Sequence, residues 1–147
     1  MATVRDILQN KGPAIHTVSI GSTVLDAVHY MNQHQIGAVV VVDGERVSGI
    51  FTERDVLRRV IEELRRPGEI AVVDVMTSQV MSCAPDTSLD DVSRIMRDKR
   101  IRHLPVCETD GRLLGMISIG DINAQHASEQ EATINSLHDY IYGPVHS

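Results

Sequence analysis

Two short stretches of this chain combine a hydroxyl and a carboxylate at the same spacing. Gly49-Ile50-Phe51-Thr52-Glu53-Arg54-Asp55 is the first, and Gly115-Met116-Ile117-Ser118-Ile119-Gly120-Asp121 is the second. Each reads Gly, two apolar residues, a hydroxyl, two variable residues and Asp. The copies lie 66 positions apart, Thr52 to Ser118 and Asp55 to Asp121. A Gly followed by an apolar run reads as a turn entering a buried strand. The hydroxyl and the Asp then fall where that strand gives way to a helix. There they can cap the helix by accepting bonds from its free N–H groups, or hold the hydroxyls and phosphates of a ligand. A single copy reads as capping, whereas two copies with matched flanks shift the reading towards a pair of ligand sites.

Further chemistry is narrowed by what the chain lacks. Its seven His do not pair at metal-ligand spacing, since His29 and His34 are five apart. It contains neither a Gly-x-Ser-x-Gly elbow nor a phosphate-loop string. No nucleophile–base pair stands out, so an enzyme is not expected. Cys83 and Cys107 fit no metal spacing and read as small apolar strand residues in a reducing compartment. The net charge of −6 argues against a general nucleic-acid binder. The cations are 12 Arg and 2 Lys, and Arg is the better fork for phosphate. The N-terminus carries no apolar signal core, and the longest fully apolar run, Ala38 to Val42, is too short to cross a bilayer. The expected setting is the cytoplasm.

The elements that must position the two signatures also come twice. Val4, Ile7 and Leu8 mark a short helix over residues 3–10, broken by Lys11-Gly12-Pro13. A strand runs from Ala14 to Ile20. Thr23 with Asp26 starts a capped helix whose buried stripe is Ala27, Val28 and Met31. Ile36 to Val42 reads as a strand covered on both faces, Asp43-Gly44 as a hairpin turn, and Val47 to Thr52 as the return strand. A helix from Asp55 to Leu64 follows, with Val56, Leu57, Val60, Ile61 and Leu64 apolar. The pattern then restarts. Val72-Val73-Asp74-Val75-Met76 echoes Val4-Arg5-Asp6-Ile7-Leu8, and Val80 to Ala84 is the strand. Ser88 with Asp91 repeats Thr23 with Asp26, Ile101 to Cys107 and Leu113 to Ser118 form the hairpin, and Asp121 opens the last helix of the repeat. Each half is strand–helix–strand–strand–helix, too small to be comfortably stable alone. The fold expected is α/β (α+β), two pseudo-twofold-related repeats packed sheet to sheet, with related clefts between them. Residues 1–66 form the first repeat with its N-terminal helix and residues 67–127 the second. In residues 128–147, Ser128 with Glu131 starts an amphipathic helix that Gly143-Pro144 ends. Its stripe of Ile134, Leu137 and Ile141 must be buried against its own chain or across a dimer interface.

This doubled pattern resembles a tandem pair of cystathionine-β-synthase (CBS) domains, a Bateman module of the stand-alone bacterial type. The resemblance covers about residues 3–126 and rests on both signatures and on Ile36-Gly37-Ala38 and Ile101-Arg102-His103-Leu104-Pro105. It implies a regulatory module that binds adenosine ligands: AMP first, then ATP, ADP, NAD or S-adenosylmethionine. It implies that Asp55 and Asp121 accept bonds from ribose hydroxyls, with Thr52 and Ser118 beside them. It also implies clefts of mixed parentage. Val80, Met81, Arg102 and His103 would close the site of Asp55, and His16, Thr17, Gly37 and Ala38 that of Asp121. Arg54 and Arg102, and with them Arg58, would enrich the Asp55 site in cations, leaving the Asp121 site poorer. The bland reading of Arg58 and Arg59 is a solvated helix face, and that of His103 a hydrogen-bonded core residue. A homodimer facing through the helices Asp55–Leu64 and Asp121–Ala127, and an effector protein acted on in trans, complete the expectation. The alternative is a nucleic-acid-binding or purely structural module without a nucleotide switch.

Overall fold

A computed structural model describes residues 2–12 and 14–142, with the side chain of Tyr142 excepted. The elements are α1 (Val4–Lys11), β1 (Thr17–Ser19), α2 (Val24–His34), β2 (Ala38–Asp43), β3 (Arg46–Thr52), α3 (Glu53–Asp55), α4 (Val72–Val75), α5 (Leu89–Lys99), β4 (His103–Cys107), β5 (Leu113–Ser118) and α6 (Ile119–Tyr142). A π-helical turn, Val56–Ile61, continues α3.

The two halves repeat each other down to their caps. α2 and α5 each span 11 residues. Each is capped at its start by a hydroxyl, Thr23 to Asp26 N and Ser88 to Asp91 N. Each ends on a left-handed residue, Gln35 and Arg100, whose N–H closes back on the last turn. β2 and β3 pair antiparallel, as do β4 and β5. β1 adds a parallel strand to β2, which makes the first sheet three-stranded.

The second sheet has two strands, because the expected strand Val80–Ala84 is reduced to one parallel bridge, Cys83 to Val106. The cause is Pro105. In the first half Val40 N–H donates to His16 O at 3.2 Å. Pro105 stands where Val40 does, and it has no N–H to give to Met81, the counterpart of His16. The ladder therefore holds only around Cys83, through Cys83 N to Pro105 O and Cys107 N to Cys83 O, both 2.9 Å.

Each half has its own core, and each core is completed by a short helix from the other's sequence neighbourhood. Val18, Val24, Ala27, Met31, Val39, Val41, Phe51 and Val60 are buried together with Ile70, Val72, Val75 and Met76, which bring α4 into the first half. Leu89, Val92, Met96, Leu104, Val106, Ile117 and Ile122 are buried with Val4 and Ile7. Helix α1, which leads the first repeat in sequence, thus packs in the core of the second. Its start is held there by Val4 N to Thr87 O and Arg5 N to Pro85 O. α4 is held in the first half the same way, by Val72 N to Ser22 O, with Val24 N returned to Ile70 O.

The signature glycines serve this exchange. They sit inside β3 and β5, within the return strands Val47–Thr52 and Leu113–Ser118 read from the sequence, and not in a turn ahead of the strand. A Cβ on Gly49 would lie 2.6 Å from Met76 Sδ, and one on Gly115 would lie 2.9 Å from Leu8 Cδ2. Each glycine leaves room for the helix that crosses its strand.

The tail also differs from expectation. No separate helix begins at Ser128, since α6 runs unbroken from Ile119 to Tyr142. Good helix formers fill 124–131, and nothing there stops the helix begun at the second signature. Ile134, Leu137 and Ile141 are exposed. The expected stop at Gly143-Pro144 lies outside the described residues, as does Pro13.

Candidate functional site: two clefts between the halves

Both signatures build the same junction. Thr52 N–H donates to Asp55 Oδ2 at 3.0 Å, and Asp55 N–H donates back to Thr52 Oγ1 at 3.3 Å. Ser118 and Asp121 do the same at 2.8 and 3.1 Å. These are reciprocal caps, so the capping role read in the sequence is present at both. The Asp residues nevertheless line two clefts, each walled from both halves.

The first cleft, about 280 Å³, is lined by Thr52, Glu53, Arg54 and Asp55 from one half and by Val80, Met81, Arg102 and His103 from the other. That volume is at the lower edge of small-molecule sites, roughly 300–1,000 Å³. Asp55 is the one buried charged residue among those described, 6% exposed. Its second oxygen, Oδ1, accepts from Thr77 Oγ1 at 3.3 Å and lies 3.8 Å from Arg59 Nε. Arg59 is not a merely solvated residue. Its Nη1 donates to Val75 O and Met76 O at 3.2 and 2.9 Å, tying the signature to α4. Arg54 donates to the left-handed cap of α5 at Arg100 O, 3.2 Å. Arg58, grouped with the site in sequence, is not among the lining residues. Glu53, Thr77 and Gln79, which sequence reasoning passed over, are. Glu53 and Asp55 balance Arg54 and Arg102 in charge.

The second cleft, about 340 Å³, gathers His16, Gly37, Ala38, Ser118 and Asp121. Thr17 is not in its wall; it pairs with Val40 in the sheet. The cleft is not devoid of a full cation. Lys11, at the end of α1, donates to Asp121 Oδ2 at 3.0 Å and to Met116 O at 2.9 Å. A signal for this was present: Val4–Leu8 echoes Val72–Met76, which sets Lys11 opposite Gln79, and both line a cleft. Only the packing of α1 on β5 shows what that places there.

Gly37 and His103 line both clefts, so the two share a wall. Two backbone bonds fix this region in matched fashion, Glu53 N to Gly37 O at 3.0 Å and Ile119 N to Arg102 O at 2.8 Å. Burial holds the His103 imidazole below its ordinary pKa, against the opposing pull of Asp121 and Glu53. His16 is also lowered, by partial burial and by the nearby positive charge of His34 and Lys11. Its Nδ1 shares a hydrogen bond with Tyr30 Oη at 3.1 Å, and its ring meets that of His34 at 4.9 Å. Burial pushes the Cys83 thiol up to about 11, which keeps it protonated and unreactive at neutral pH.

The CBS domain model matches residues 4–62 and again residues 72–125. The chain belongs to the CBS-domain family. Its two CBS repeats are similar to the CBS domain-containing protein CBSX3, mitochondrial, of Arabidopsis thaliana, at 35% identity over 96% of this chain and 72% of the relative. A solved putative signal-transduction protein with CBS domains from Burkholderia ambifaria superposes with a TM-score of 0.83, at 39% identity over 88% of this chain and 96% of its own. The CBS domain pair of protein MJ0100, solved in complex with 5′-methylthioadenosine and S-adenosyl-L-methionine, shares the fold at a TM-score of 0.78. Its identity is 22%, over 88% of this chain and 98% of that one. Among the described residues no helix is long and apolar enough to cross a membrane.

Proposed function

We propose that this CBS pair is a sensor of an adenosine ligand, AMP first among the candidates, that regulates a partner protein in trans rather than catalysing a reaction. The carrying observation is the mixed parentage of the clefts. Each joins a hydroxyl–Asp junction from one half to wall residues of the other. A ligand in such a cleft stabilises one relative placement of the halves, and its regulatory output is a population shift between placements. An ionised carboxylate accepts bonds only, which suits the vicinal diol of a ribose. Thr52 and Ser118 add hydroxyls. Apolar wall residues such as Ile50, Val80 and Met81 suit a base between strands. The adenosine ligands bound to MJ0100 support the same class here.

In the Asp55 cleft, Arg102 and Arg54 are the groups for phosphate. The test is thermal unfolding with AMP, GMP and adenosine, alongside native mass spectrometry of the purified protein. Ligand at a hundredfold over its Kd stabilises by about 2.7 kcal/mol. For a chain of this size that is roughly 5–10 °C. AMP is expected to reach this shift and GMP to fall well below it. Arg102→Ala is expected to weaken AMP about tenfold and adenosine little. Equal shifts with AMP and GMP would remove the adenine from this proposal.

A further inference from the structure

We propose that Lys11 makes the Asp121 cleft selective for ligands carrying an anionic group, by passing from the Asp121 carboxylate to that group when a ribose takes the carboxylate. The inference rests on the proposed binding of adenosine ligands and adds to it a rule for one cleft.

The two ribose acids are not held alike. Asp55 Oδ1 accepts a bond from a neutral hydroxyl, Thr77 Oγ1 at 3.3 Å, while its cation, Arg59, stands off at 3.8 Å with its Nη1 given to the carbonyls of Val75 and Met76. Asp121 receives the ammonium of Lys11, at 3.0 Å. In the Asp55 cleft the counterpart of Lys11 is the uncharged Gln79. Lys11 and Ser118 N–H both bond Oδ2 of Asp121, so a neutral nucleoside whose ribose diol spans the two carboxylate oxygens must share or take the one that Lys11 holds. Where the ribose takes that oxygen, the ammonium loses its direct bond to the carboxylate and keeps only the carbonyl of Met116, which is costly in a partly closed site. A phosphate on the same ligand restores a counter-charge and accepts charge-assisted bonds. A cationic ligand is opposed by the same ammonium.

The geometry permits the exchange. The Lys11 side chain is 40% exposed, and its ammonium sits on a four-carbon stem that can swing without moving α1. The helix itself is fixed, since Val4 and Ile7 are buried in the second core. Gly12, in the left-handed region at φ +86°, ends the helix immediately after Lys11.

The chain has two lysines, Lys11 and Lys99, and the second is exposed at the end of α5, which supplies an internal control. Acylation by an N-hydroxysuccinimide ester, read peptide by peptide by mass spectrometry, reports both amines at once. Without ligand, Lys11 is expected to react more slowly than Lys99, and Asp121→Asn is expected to speed it. Saturating adenosine is expected to speed Lys11, saturating AMP to keep it slow, and Lys99 to respond to neither. In calorimetry, Lys11→Met is expected to weaken AMP about tenfold at one of the two sites and leave adenosine unweakened, while Arg102→Ala affects the other site. Should both ligands bind with the same ratio in Lys11→Met as in the parent chain, or should Lys11 acylate alike with AMP and adenosine, the selectivity rule is wrong and the adenosine reading stands. Should neither AMP nor adenosine bind the parent chain, both fall together.

Discussion

Gly49 and Gly115 occupy equivalent positions in the two repeats, yet the structure gives them unequal tolerance for a side chain. An alanine Cβ at position 49 would stand 2.6 Å from Met76 Sδ and 2.7 Å from the backbone oxygen of Thr77. Met76 can turn its thioether aside. The Thr77 carbonyl cannot, because it accepts Ile50 N–H at 3.0 Å while Thr77 N–H donates to Ile50 O at 2.9 Å. Reaching ordinary contact, 3.4 Å or more, requires the two backbones to part by about 0.7 Å. Overpacking of this kind costs about 1–3 kcal/mol, and straining the bridge adds about 1 kcal/mol. The reduced freedom of the unfolded chain returns about 0.4–1 kcal/mol. Gly49→Ala should therefore destabilise by about 1–3.6 kcal/mol. At position 115 the nearest atom is Leu8 Cδ2 at 2.9 Å, the end of a flexible, half-buried side chain. Gly115→Ala should stay within about 1 kcal/mol of the parent. Urea unfolding is expected to place the Gly49→Ala midpoint about 1 M below that of Gly115→Ala. Because Thr77 also donates to Asp55, Gly49→Ala should weaken the Asp55 cleft as well. An equal or larger loss at position 115 would refute the assignment of these glycines to helix-over-strand approach.

Two further outcomes are expected. His103 has a depressed pKa in the folded state, with Asp121, Lys11, Glu53 and Arg102 as its charged neighbours. The unfolded chain therefore takes up its proton first, from about pH 6.5 downwards, so the stability tied to neutral His103 is present above that value and lost as pH falls through the lower folded one. His103→Gln should flatten part of the fall in melting temperature between about pH 7.5 and 5.5; an unchanged slope would remove His103 as its source. Val56 packs on the first core and Val60 is buried in it, which leaves Leu57 and Ile61 exposed on that helix; it ends at Ile61 rather than at Leu64, and Leu64, 91% exposed in the left-handed turn just after it, extends the apolar stripe. A homodimer formed through this stripe should appear by light scattering at micromolar concentration and dissociate on Leu57→Glu with Ile61→Glu, whereas a monomeric parent chain would count against it.

Much of this molecule was legible as sequence, because its order is carried by local rules repeated twice. Thr23 and Asp26, Ser88 and Asp91 bond as their spacing demands, since a cap needs only residues three apart. Val39, Val40 and Val41 are buried because a continuous β-branched run can be satisfied only between two covering layers. The residues expected around Asp55 do line its cleft, apart from Arg58, and around Asp121 only Thr17 falls outside the wall.

Tertiary structure decided the rest. Periodicity tells which face of α1 is buried but not which core buries it, and α1 completes the second half rather than the first. The same docking brings Lys11 to Asp121, 110 residues away in the chain. The missing strand at Val80–Ala84 follows from an N–H that Pro105 cannot supply to a distant partner. The glycines of the signatures answer to Met76 and Leu8, side chains that cross from helices lying outside the signatures. A chain's local pattern fixes caps, faces and hairpins, while contacts between distant segments depend on where whole elements come to rest, and that is set by the packing of both halves at once.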